Sequence, residues 1–260
     1  YLCSTPVSSD YYRHFCRQIA ALLGQYSSEG DFVAMISQGT SGDLMWMDYG
    51  SPPAPPTIQD YAAEVAGYAI KAWHQIEWRD AAPLAVSEKK VTLNFRVPDE
   101  KRLSWAREQV QLMGDRLPAT QTEVYAHEAI YLHERPKAEL KLQAIQIGDL
   151  GITTLPNEVF AITGLKLKAK SPLGTHFNIE LANGAEGYIP PPEQHTLGGY
   201  TTWPARTAGL QVEAEPKIVE TLLSAMEEAT GKPRKAVEPT MGPYAEAVLK
   251  GAPASYWRME

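Results

Sequence analysis

Apolar residues recur along the chain at two spacings, one typical of helices and one typical of strands. Residues three and four apart predict an amphipathic helix after the capping sequence Ser8-Ser9-Asp10, and Thr57 is placed to begin a second helix. Further helices are expected over 99–112, 120–133, 157–170, 213–231 and 243–250.

Alternating or continuous apolar runs predict the strands. These are expected over 32–37, 91–97, 140–148, 150–156 and 175–184. The run FVAMIS at 32–37 is typical of a buried strand, and Gly148-Asp149 marks the turn of a β-hairpin. Because strands and helices alternate, we expect an α/β fold with a mixed β-sheet flanked by helices.

Composition and charge limit the classes of function open to the chain. The chain has 260 residues, 44% of them hydrophobic, and a formal net charge of -7, which argues against a nucleic-acid partner. No apolar run is long enough to span a membrane, and the sequence as given opens without an initiator Met, a basic n-region or an apolar h-region. We expect one catalytic-type domain, truncated at its N-terminus, over 1–260, with a core at 1–235 and a C-terminal extension at 236–260.

Glu158 is the first candidate for chemistry. It lies just past Leu155, the last apolar residue of a predicted strand, at the start of a predicted helix. Open α/β sheets bind ligands beyond the carboxyl ends of their strands, so this carboxylate is a candidate metal ligand. Alternatively, Glu158 only meets the positive end of the helix dipole, and position alone favours that interpretation.

Tyr188 is the second candidate. It follows a comparable strand, after a turn at Asn183-Gly184 and before prolines at 190–192 that stiffen the backbone. A phenol normally titrates near ~10, and a bound divalent cation would favour the phenolate. The alternative is an ordinary, partly buried aromatic side chain.

Several motifs occur in a fixed order. LPNE before a helix, then LANGAEGYI, PPEQH and a later tyrosine, resembles the neutral/alkaline ceramidase family. FVAMISQGTSGDL resembles that family's strand and loop in which a Gly-Asp pair follows a run such as FVAAFAQ. The resemblance extends over about 30 to 210 and suggests a catalytic-domain fragment from a bacterial branch of the family.

The resemblance implies a zinc amidase that cleaves the N-acyl bond of a lipid-like amide. The family's zinc is held by two histidines, a glutamate in a V-P-x-E segment and a tyrosine five residues past an asparagine. The matches are LPNE at 155–158, and Asn183 with Tyr188, so Glu158 and Tyr188 are expected to be metal ligands. A location outside the cytoplasm is suggested by the resemblance alone.

The chain departs from the family in two respects. The family's histidines precede the FVAMIS-like strand, where this chain has only His14, so we expect it not to bind zinc tightly. The family's serine, two residues after Gly-Asp, is replaced by Met45. Asp43 is then expected to support the site or face the substrate, or to organise its own loop. The rival expectation is a catalytically degenerate binding or scaffold domain of the same fold.

The other histidines and short motifs add one further candidate. His195, beside the flexible pair Gly198-Gly199, is a candidate substrate contact or proton carrier. His127 and His133 each precede a glutamate, but they are six apart and do not form HExxH. Neither a phosphate loop nor a G-x-S-x-G motif is present. Structural or surface roles are expected for His74 and His176.

Overall fold

The computed structural model describes residues 7–24, 32–45, 50–51, 56–237, 243–253 and 255. Two sheets are formed by the strands β1 (Leu84–Asn94), β2 (Lys137–Ile147), β3 (Leu150–Thr154), β4 (Glu158–Val159), β5 (Thr175–Ile179) and β6 (Tyr188–Ile189). The larger sheet has the order β1-β2-β3-β5, and β4 pairs separately with β6. Since β1, β2 and β3 are antiparallel and β3 pairs with β5 in parallel, the sheet is mixed, as predicted.

Helices flank this sheet. In the described part of the chain they are α1 (Asp10–Leu22), α2 (Ile58–Trp73), α3 (Glu100–Met113), α4 (Gln121–Glu134), α5 (Ala161–Lys170), α6 (Pro192–Leu197), α7 (Ala214–Thr230) and α8 (Pro243–Lys250). Local signals set several ends: the Thr57 side chain caps α2, and Gly231 ends α7 in the left-handed conformation. Every helix that the structure describes is too short or too polar to cross a bilayer.

The main core lies between α7 and strands β1 and β2. Ile218, Leu222 and Leu223 of α7 pack with apolar side chains of the two strands and are almost completely buried. Each such side chain contributes about 1.5–3 kcal/mol on transfer from water. Val159 and Ile189 of the short strands belong to the same cluster. The core therefore fixes the two strands that carry Glu158 and Tyr188.

The prediction of a buried strand at 32–37 is wrong. This segment joins no sheet among the described residues, and Val33 and Met35 are 73% and 82% exposed. Ile36 packs instead against the cluster formed by α1 and α2. The continuous apolar run predicts a buried strand, but alternate residues face solvent.

The predicted helix at 157–170 begins late. Its first residues pair with the loop before β6, because the Glu158 N–H donates to the Gly187 carbonyl at 3.0 Å. The helix starts only at Ala161. Strand β1 also begins earlier than the predicted 91, at Leu84. The division at 235 stays a prediction, and of the extension at 236–260 the residues 238–242, 254 and 256–260 lie outside the described residues.

His176, on β5 of the larger sheet, links the stability of the fold to pH. Its Nε2 atom lies 3.1 Å from the Thr153 hydroxyl, and burial lowers its pKa from 6.5 to about 4, with the charge of Lys168 acting in the same direction. As the pH falls, His176 therefore becomes protonated at a higher pH in the unfolded chain than in the folded protein. We predict that stability decreases between pH 6.5 and 4, with about 3 kcal/mol due to this group.

His176→Gln should lose much less stability over that pH range, measured by urea unfolding at each pH. The control is His74→Gln at the exposed end of α2, which should follow the wild-type profile. An unchanged pH dependence in His176→Gln would contradict the assignment.

Candidate functional site

Strands β4 and β6 place Glu158 beside Tyr188. They form a parallel ladder in which Glu158 is opposite Tyr188 and Val159 is opposite Ile189. Val159 and Ile189 are buried, whereas Glu158 and Tyr188 are half-buried. Since neighbouring residues in a strand point to opposite faces, the carboxylate and the phenol lie on the same face, away from the core. The motif order predicted that these two residues would meet.

The backbone around this pair is held by loop contacts. The Tyr188 N–H donates to the Thr207 carbonyl at 2.8 Å. The fully buried Asn157 amide donates to the carbonyls of Glu186 at 3.4 Å and Gly187 at 3.3 Å. A Cβ at Gly187 would lie 2.5 Å from the Thr207 backbone, so only glycine fits there. These contacts fix Tyr188 without involving its ring.

A second tyrosine, Tyr200, contacts Tyr188. Tyr200, at the start of the 3-10 turn Tyr200–Thr202, places its hydroxyl 3.3 Å from that of Tyr188. The rings meet edge to face at 5.4 Å. Burial raises the pKa of Tyr188 well above its ordinary value, and hydrogen bonds with Glu158 and Tyr200 act in the same direction. Tyr188 is therefore a neutral phenol here, and only a nearby cation would favour its phenolate.

Glu180 is a buried carboxylate that the sequence did not single out. Its side chain accepts hydrogen bonds from the Val159 N–H at 2.7 Å, the Ser41 hydroxyl at 2.7 Å and the Ser41 N–H at 3.3 Å. Burial raises its pKa, the hydrogen bonds oppose that shift, and the negative charge of Glu158 adds to it. Its one sequence signal is its position as a lone acid between Ile179 and Leu181 at the end of β5.

The loop 38–43 clamps β4 from the other side. Its Gln38 side chain accepts from the Tyr12 hydroxyl at 2.7 Å and donates to Ser41 at 2.8 Å. The Gly42 N–H donates to the Val159 carbonyl at 2.6 Å. A Cβ at Gly42 would lie 2.9 Å from the backbone of Val159. The loop thus lies directly against the strand that carries Glu158.

Asp43 lies next to the pair but is engaged in structure. Its carboxylate accepts a hydrogen bond of 2.7 Å from the Ala161 N–H, the first residue of α5. A carboxylate at this position satisfies a free backbone donor and meets the helix dipole. The hydrogen bond therefore joins the loop 38–43 to the start of α5, whereas the sequence led us to expect bonds to backbone within the loop itself.

His195 lies apart from these residues. It is on α6, and burial lowers its pKa, followed by the charge of Arg96, while Glu213 opposes the shift. No hydrogen bond connects it to Glu158, Tyr188 or Asp43 among the described residues. The structure therefore groups three of the four predicted site residues and places His195 beside a different pair of charges.

The two His-Glu pairs of α4 differ, since His133 and Glu134 are exposed. Glu128 is buried and accepts hydrogen bonds from the Arg206 backbone at 2.7 Å and from its guanidinium at 2.6 Å. Arg206 in turn lies 4.7 Å from the centre of the Tyr131 ring. This glutamate therefore joins α4 to the chain after the 3-10 turn and is not free for general-base chemistry.

The described residues alone do not fit a zinc ion. Nowhere among them do three or more His, Cys, Asp or Glu side chains converge as a metal-binding group. Glu158 and Tyr188 supply two oxygen atoms, whereas catalytic zinc sites usually have three protein ligands. The pair is at most part of such a site.

Comparisons with known proteins identify the fold. No protein-family model matches the sequence, and no curated protein matches it either. The fold is similar to the crystal structure of neutral ceramidase from Pseudomonas aeruginosa, with a TM-score of 0.53 and 14% identity over 92% of this chain and 44% of that chain. A structure of ceramidase complexed with C2 gives a TM-score of 0.52 and 13% identity over 92% and 45%.

The resemblance noted from the motifs is thus confirmed as a shared α/β fold. At 14% and 13% identity, the two comparisons establish architecture and not activity. The chain spans less than half the length of either ceramidase structure.

The hydrogen bond between Asp43 and the Ala161 N–H can be tested directly. We predict that Asp43→Ala lowers the free energy of unfolding by about 1 kcal/mol, because the first N–H of α5 loses its cap. Asp43→Asn, which keeps an acceptor oxygen, should retain most of that stability. Urea unfolding measures both, and Asp80→Ala, at an exposed position, is the control. Equal stability of Asp43→Ala and the wild type would contradict the capping role.

Proposed function

We propose that this chain is part of a ceramidase-like, zinc-dependent hydrolase that cleaves an amide or ester bond. In this proposal Glu158 and Tyr188 are the two ligand oxygens that the chain contributes. The observation that carries it is their pairing across β4 and β6, on a fold similar to neutral ceramidase. The name of that neighbour suggests a lipid amide as substrate.

The proposed site assigns a distinct task to each residue. When bound, zinc would polarise the scissile carbonyl and lower the pKa of water to about 7. Glu158 and Tyr188 would hold the ion, and the Tyr200 hydroxyl, 3.3 Å from that of Tyr188, would orient the phenol. Glu180 accepts from the Val159 N–H and from the Ser41 hydroxyl, and so fixes the position of Glu158. The two histidine ligands would come from outside this chain.

A binding or scaffold domain of the same fold is the second candidate. Asp43 is engaged in capping α5, and Met45 follows it where the ceramidase family has a serine. The described residues supply no third metal ligand. In this case the fold would bind an acyl-amide compound, or a protein partner, without cleaving it.

We predict that this chain binds zinc with an affinity weaker than micromolar, measured by calorimetric titration, because it supplies two ligands. Glu158→Gln and Tyr188→Phe should each weaken the remaining affinity about tenfold or more. Tyr68→Phe, at an exposed position on α2, is the matched control and should bind as the wild type does. A submicromolar affinity would contradict the incomplete site, and equal affinity in the variants would contradict the two ligands.

Exogenous imidazole can stand in for the absent histidines. With zinc and imidazole present, we expect the chain to hydrolyse a short fluorogenic N-acyl amide faster than the same solution without protein. Glu158→Gln and Tyr188→Phe should abolish this increase, and Tyr68→Phe should retain it. Saturable binding of the amide with no increase in hydrolysis would favour the binding domain instead.

A further inference from the structure

A concave site lies between α3, α4 and the chain after the 3-10 turn. It is a cleft of about 590 Å³, within the usual range for small-molecule sites. Its chemistry comes from two arginines and three aromatic side chains, namely Arg96, Arg102, Trp105, Tyr125 and Trp203. None of these residues belongs to the proposed hydrolytic site.

The two arginines carry positive charge that is not neutralised. Arg96 is half-buried, and its guanidinium donates to the backbone carbonyls of Leu210, at 3.0 Å, and Ala208. Within the described part of the chain, neither Arg96 nor Arg102 forms an ion pair. The nearby Asp99 carboxylate instead accepts from the backbone N–H of Arg102 at 2.7 Å. A half-buried cation without a carboxylate partner is a binding element for an anion.

The aromatic side chains give the cleft flat walls. Tyr125 and Trp203 meet edge to face at 5.7 Å between ring centres. Arg102 lies over the ring of Trp105 at 3.8 Å, so its guanidinium is held against this wall although the residue is exposed. Ala129 and Leu132 are buried beneath these rings. The lining therefore combines apolar, planar surfaces with two cations.

We propose that this cleft binds a small aromatic carboxylate. The carboxylate is held by Arg96 and Arg102, and the ring packs among Trp105, Tyr125 and Trp203. Flat walls favour a planar ring over a flexible chain, and two guanidinium groups match the oxygens of one carboxylate. The inference does not depend on the proposed hydrolase activity, since Glu158 and Tyr188 play no part in it.

The test is calorimetric titration of the chain with 2-naphthoate, without metal. We expect saturable binding with a Kd below about 1 mM, and binding of the neutral analogue 2-naphthamide at least about tenfold weaker. Arg102→Gln and Trp203→Ala should each weaken 2-naphthoate binding about tenfold. Arg102 is the preferred arginine to change because its guanidinium makes no hydrogen bond among the described residues, whereas that of Arg96 holds two carbonyls.

Arg107→Gln, exposed on the same helix, is the matched control and should bind 2-naphthoate normally. Glu158→Gln should also bind normally, which separates this site from the hydrolytic one. Near-ultraviolet circular dichroism confirms that each variant is folded. The proposal is overturned if 2-naphthamide binds as tightly as 2-naphthoate, or if folded Arg102→Gln and Trp203→Ala both bind unchanged. The proposal is also overturned if decanoate binds and 2-naphthoate does not, or if 2-naphthoate shows no saturable binding.

Discussion

The site region depends on one buried carboxylate. Glu180 is 3% exposed and accepts hydrogen bonds from Val159 of β4 and from both the backbone and the hydroxyl of Ser41. A buried charge is tolerated only when hydrogen bonds replace its hydration, so these three donors are a condition of the fold. Through them, segments 139 residues apart in sequence are fixed against each other, and Glu158 takes its place at the surface of the core.

The region around β4 and the cleft have opposite electrostatic character. Around β4, Glu158 lies close enough for its negative charge to add to the raised pKa of Glu180, after the larger effect of burial. In the cleft, Arg96 and Arg102 are without ion-pair partners among the described residues. The chain has an overall charge of -7, so the cationic cleft is a local exception. The short segment 200–204 joins them, since Tyr200 contacts Tyr188 and Trp203 lines the cleft.

Local signals predicted most of the fold. The hairpin of β2 and β3 followed from Gly148-Asp149, and the helix after Thr57 followed from its cap, because both depend on neighbouring residues. The strand expected at 32–37 failed because burial on two faces requires partners that an apolar run alone does not specify. The two-residue strands β4 and β6 depend on each other and leave no periodic signal in the sequence.

The same distinction holds for the sites. The order of the ceramidase-like motifs brought Glu158 and Tyr188 together, but the partnership of Ser41 with Glu180 could not be read from residues so far apart. The cleft was missed because its charges and rings come from α3, α4 and residue 203, each unremarkable in isolation. The sequence places His195 in a predicted loop near Tyr188, yet its charged neighbours in the structure are Arg96 and Glu213.

Because Gly42 lies so close to β4, the two glycines of its loop differ in how well they tolerate substitution. Any side chain at 42 would intrude on the main chain of Val159, whereas the nearest atom to a Cβ at Gly39 is 4.0 Å away. The two glycines look alike in QGTSGD, but Gly42 is required for steric reasons, whereas Gly39 has room for a side chain. Homologous loops should therefore vary freely at the first position and hold the second constant.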